Sequence, residues 1–172
     1  MAGNNSTGPA SAGPVFDFIA SLTKWATGLV LCALVLLVFS ETVLRGLANY
    51  SLGFVEEVTG YFVVTLTFLG AALALRAEAL FQVHFLFDAV PDHVQAWLKR
   101  LFVVASLIVC VILALKTHDL VLSSFGRGKF APTVLRTPLW IPQMIMPIGF
   151  SLIGIFLLEK LLLSGRKKEE QS

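Results

Sequence analysis

Residues 25–44 read WATGLVLCALVLLVFSETVL, a run whose one charged side chain is Glu41, three positions before its end. A bilayer's hydrocarbon core is about 30 Å thick and a helix rises about 1.5 Å per residue, so roughly 20 apolar helical residues cross it. In lipid a helix satisfies its own backbone donors and acceptors, which makes it the form such a run takes. Three further stretches meet the requirement. Residues 58–75 and 137–158 carry no charge, and 101–115 is an uncharged core extended by Trp97, Leu98 and Lys116. Lys99, Arg100 and Lys116 lengthen this shortest run by laying their methylenes along the helix and placing their charges at the interface. Trp25, Trp97, Trp140, Tyr50 and Tyr61 fall near the expected ends, where an aromatic belt sits.

The reading is an all-α integral membrane protein with four transmembrane helices, at about 25–44, 58–75, 97–116 and 137–160, plus short interfacial amphipathic segments. Residues 1–14 form a disordered tail without the basic start of a signal peptide, 15–163 the membrane domain, and 164–172 a charged cytoplasmic tail. Composition agrees. Of 172 residues 56% are hydrophobic and 14% charged, and the mean hydropathy is +0.82. A chain this small has too much surface for its volume to hide that much apolar area, so the excess faces lipid.

The formal charge is +2, from 13 basic residues spread over the connecting segments, which gives nucleic acid no basic stripe to bind. Cys32 and Cys110 stand alone in apolar runs and read as small packing residues. Four spans put both termini on one side. That side holds Lys24, Arg76, Lys99, Arg100, Lys160, Arg166, Lys167 and Lys168, against Arg45, Lys116, Arg127, Lys129 and Arg136 on the other; eight against five predicts cytoplasmic termini.

Between the spans, VFDFIASLTK (15–24) reads as a short interfacial helix leading into the first span. Residues 76–98 are too apolar for a solvated loop and too charged to span, so they lie along the cytoplasmic surface or against a partner. Pro91 breaks this segment, and Asp92 caps the helix that becomes the third span. The loop 117–136, THDLVLSSFGRGKFAPTVLR, has Gly126 and Gly128 for turns and reads either as a solvated linker or as a docking surface through Arg127, Lys129 and Arg136.

Transport sites show themselves as ionisable groups deep in spans or as broken helices. Glu41 lies one turn from a span end and four residues before Arg45, so an i,i+4 ion pair is its simplest account; a proton-coupled carboxylate is the other. Glu56 and Glu57 open the second span, where they offset the positive helix N-terminus or clip onto Arg45. His84, His93 and His118 fall in loops or at a span end, out of place for a haem held between helices. No nucleophile with its base, phosphate loop or metal-ligand cluster can be assembled, so no catalytic residue or metal site is expected. The spans do offer packing surface. Thr67, Gly70, Ala71 and Ala74 form a small-residue strip along the second span that lets another backbone come close, from this chain or from a partner. Pro138, Pro142 and Pro147 make the start of the fourth span irregular, which lipid tolerates only where protein covers it.

These features occur in an informative order: Arg45 after the first span, Asn49 and Ser51 in a short loop, Glu56 and Glu57 opening the second span, TFLGAALALR at 67–76 and PLWIPQMIMPIG at 138–149. Together they resemble the small membrane subunit, DctQ type, of tripartite ATP-independent periplasmic (TRAP) transporters. Phe54 and Thr65 stand where the family often has Trp. Asp88 and Pro91 keep family positions in the loop that Leu80 and His84 do not.

The resemblance implies a multi-pass protein of a bacterial inner membrane. Its partners would be a large membrane subunit, which holds the substrate and sodium sites, and a periplasmic protein that captures an organic anion. This chain, with no cofactor of its own, would brace the large subunit. Arg45, Glu57, Thr67, Gly70, Ala71, Ala74, Pro138, Trp140, Pro142 and Pro147 are then the expected contacts with the large subunit, and Arg127, Lys129 and Arg136 those with the binding protein. Two rivals remain: a self-sufficient four-helix multidrug exporter, which needs an essential carboxylate near mid-span, and a membrane anchor for a redox enzyme.

Overall fold

A computed structural model of the chain describes residues 12–77, 92–133 and 135–169. The expected tail as far as residue 11, the surface segment 78–91 with Pro91, and residues 170–172 lie outside the described residues, as does the side chain of Asp92. Five helices follow one another: α1 Pro14–Ala48, α2 Val55–Arg76, α3 Asp92–Gly126, α4 Trp140–Gln143 and α5 Ile145–Glu169. Four helical stretches are long and apolar enough to cross a membrane: Pro14–Ala48, Val55–Arg76, Arg100–Gly126 and Trp140–Leu163.

Three helix boundaries have local reasons. The expected interfacial helix at 15–24 and the first span are one helix of 35 residues, about 52 Å long. Pro14 stands in its first turn, where a proline costs no hydrogen bond, and nothing after it interrupts the helix. The helix of the third span continues past Lys116 to Gly126. Thr117 donates back to the Leu113 carbonyl at 2.7 Å, and the first residue that turns the chain is Gly128, at φ 56°. The fourth span breaks at Met144, between α4 and α5. Pro147 has no N–H to give to the Gln143 carbonyl, and Met144 N–H turns to Trp140 and Ile141 instead.

α1 packs on α2, α2 on α5, and α5 on α3, so α2 and α5 form the middle of the layer and α1 and α3 its edges. At the proximal end, where α1 begins and α5 ends, Ala20, Ala72, Leu75, Val103, Phe156 and Leu157 form the buried core. Burial from water does not drive this packing, because lipid tails are as apolar as Leu; close contact does. Gly149 gives the clearest instance. A Cβ there would overlap the ring of Phe68 and lie 2.7 Å from that residue's Cβ, and Phe150 next to it meets the same ring edge to face at 5.0 Å. Hydroxyls within the spans are tied to their own helices: Thr23, Thr27, Ser40, Thr65 and Thr67 each donate to the carbonyl four residues back.

Candidate functional site

Among the described residues the ion pairs lie at the two ends of the bundle. At the distal end, Asn49 takes the left-handed conformation at φ 50° and turns the chain out of α1. This brings Ser51 and Leu52 back beside Glu41. Arg45 Nη2 donates to Glu41 Oε1 at 3.0 Å, Ser51 Oγ to the same oxygen at 2.7 Å, and Leu52 N–H to Oε2 at 3.0 Å. The expected i,i+4 pair is therefore present, and it is also the clip that closes the α1–α2 turn. Arg45 pairs with Glu41 and not with Glu56 or Glu57. Both oxygens of Glu41 are thus engaged within the chain.

Glu57 accepts from Tyr61 Oη at 2.5 Å. Its carboxylate also faces Thr133, Thr137 and the backbone of Leu135, and its Oε2 is enclosed without a hydrogen bond of regular geometry. It thus looks onto the α3–α4 connection of its own chain. That connection is an ordered reversal. Ala131 N–H donates to Thr137 O and Leu139 N–H to Lys129 O, both at 2.9 Å, around Arg136 in the left-handed region at φ 47°. It carries Arg127, Lys129 and Arg136 exposed; Arg127 also donates to the hydroxyl of Ser123.

A third polar cluster, at the proximal end, was missed by the sequence reading. Glu159 on α5 is 2% exposed, and both its oxygens accept from Arg76 on α2: Oε2 from Nε at 2.9 Å and Oε1 from Nη2 at 3.0 Å. Nη2 also meets Oδ1 of Asp17 on α1 at 2.5 Å, and the guanidinium sits 5.7 Å from the centre of the Phe156 ring. One clasp therefore joins three helices. A two-point Arg–carboxylate contact suits a buried site, since it fixes both partners and fills both acceptor oxygens. The signal lay in the sequence: Arg76 and Glu159 each stand one position beyond an uncharged run, on spans two and four, which run in the same direction.

Of the expected contacts on α2, Thr67 is exposed, Ala71 and Ala74 are half-buried, and a Cβ at Gly70 would meet open space. The buried positions of this helix are Val55, Ala72 and Leu75, and among the described residues none comes within 4 Å of a Cβ placed at Gly70. Pro138, Pro142 and Pro147 are half-buried around the α4–α5 break, and Trp140 packs edge to face on Phe125 at 5.6 Å.

No curated protein matches the chain. The family model for the DctQ component of tripartite ATP-independent periplasmic transporters matches residues 34–166, from the middle of α1 through nearly all of α5. The match spans most of the 172 residues and both ends of the layer, including the Glu41 clip and the Arg76–Glu159 pair. The chain therefore belongs to the DctQ family and is a membrane component of a tripartite transporter, not an enzyme.

Proposed function

We propose that this chain is the static brace of a sodium-coupled TRAP uptake system for organic anions. In this reading the large membrane subunit carries the substrate and sodium sites, and the four spans described above enlarge its scaffold in a bacterial inner membrane, with both termini cytoplasmic. The observation that carries the reading is how the ion-paired groups near the span ends are held. Glu41, Arg76 and Glu159 are each satisfied by partners within the chain at a helix end, which suits a scaffold better than a carrier. Ionisable groups deep in a membrane are kept for function, and a carrier leaves some of them for its cargo.

The open strip at Thr67, Gly70, Ala71 and Ala74 is the closest-approach surface for the large subunit. Pro138, Trp140, Pro142 and Pro147 extend that contact at the distal end, where irregular backbone needs protein cover. Arg45 and Glu57 support it indirectly, by shaping the turn and the α3–α4 connection. Arg127, Lys129 and Arg136 on that connection offer positive charge to the periplasmic binding protein, steering its arrival. The test is co-expression of this chain, tagged, with the large subunit. Stoichiometric co-purification in mild detergent is expected, and independent purification of the two chains would refute the reading.

A further inference from the structure

α1 is an edge helix, and Ala20, Thr23 and Glu41 are its buried side chains. Between Thr23 and Glu41 it is only half-buried, along Ala26, Val30, Ala33 and Leu37 where it lies on α2, so its fully buried anchors stand toward its two ends. At the distal end the Glu41 clip ties it to the turn that follows. At the proximal end the shortest directional contact to the other helices is Asp17 on Arg76, with Ala12 N–H on Glu159 Oε1 at 3.4 Å just ahead of the helix, beside the small, buried Ala20. Arg76 has little freedom there. Its guanidinium is fastened at two points to Glu159, whose burial fixes it in turn, and its Nη2 is shared between Glu159 and Asp17.

We propose that Asp17 and Arg76 are positioning residues for assembly: through the clasp with Glu159 they set the direction of α1 against α2 and α5, and with it the shape that this chain brings to the large membrane subunit. The inference rests on the reading that the large subunit is the partner. Asp17 is the informative residue because its side chain is 56% exposed while that of Arg76 is 7%. An exposed pair adds little to stability, yet it orients whatever it joins.

The test uses the full chain co-expressed with the large subunit and compares Asp17→Asn and Asp17→Glu with the unchanged protein. Spin labels at Phe18→Cys and Leu162→Cys, two exposed positions on α1 and α5, report the helix direction in a background without Cys32 and Cys110. For Asp17→Asn the thermal midpoint of the isolated chain should stay unchanged and the label distance should broaden. Co-purified large subunit and maximal uptake should both fall about threefold, the scale of one exposed ion pair. The half-saturating concentration of binding protein should not move, and Asp17→Glu should restore all readings. Unchanged assembly and uptake in Asp17→Asn overturns the proposal, and so does a lowered midpoint with an unbroadened distance, which marks a merely structural pair. If the unchanged chain fails to retain the large subunit, the parent reading has failed instead.

Discussion

Replacing Arg76 by Met, alone and together with Glu159→Leu, separates two effects that a single substitution confounds. Glu159 is 2% exposed and takes both of its strong hydrogen bonds, at 2.9 and 3.0 Å, from that one guanidinium. Arg76→Met keeps the length of the stem and removes the charge, leaving a buried carboxylate with no cation. Breaking a buried pair in this way costs about 3–5 kcal/mol. Glu159→Leu leaves the guanidinium with Asp17 as its remaining carboxylate, so its cost falls at the lower end of that range, about 3 kcal/mol. In the double variant both desolvation penalties vanish, and two apolar side chains pack beside Phe156; its stability should return to within about 1 kcal/mol of the unchanged protein. The assay is reversible unfolding of the purified chain in mixed micelles, titrated with a denaturing detergent and followed by helicity. The reasoning is refuted if Arg76→Met loses less than about 1 kcal/mol, or if the double variant is no more stable than the worse single one.

Other consequences are more local. Gly149→Ala drives a methyl group into the Phe68 ring and its Cβ, and should lower stability by about 1–3 kcal/mol as α2 and α5 are pushed apart; Gly154→Ala, which meets open space, is the control in the same unfolding titration. Glu41→Gln keeps the shape but loses the charge that three donors share, and should cost about 1–2 kcal/mol. Uptake by the assembled transporter should survive it, and a complete loss at unchanged stability would favour a proton-coupled role. Gly70→Ala puts a methyl group into the strip on α2, with none of the described residues within 4 Å of it; the isolated chain should unfold as before while co-purification of the large subunit falls about threefold or more.

The spans were legible because hydropathy over some twenty positions is a coarse, additive signal, and the proline cluster at 138–147 announced its own break. The Glu41–Arg45 pair was legible because helix geometry alone brings i and i+4 together. What stayed hidden was what depends on two distant segments meeting. Arg76 reads as a loop cation until α5 brings Glu159 against it, 83 positions away. The carboxylate of Glu57 reads as a helix-end charge until the α3–α4 connection folds back over it. The end of α3 was not legible because Lys116, His118 and Asp119 look like the edge of a membrane span. A helix does not stop where its hydropathy falls; it continues until a residue such as Gly128 turns the chain.

The central claim is that this chain holds the transporter together and does not itself carry cargo. Proteoliposomes with a sodium gradient, loaded with this chain alone, with the large subunit alone, or with both, and supplied with the substrate-charged binding protein, test it most directly. The account predicts uptake when both chains are present and none from this chain by itself. Uptake by this chain alone, or full uptake by the large subunit without it, would contradict the account.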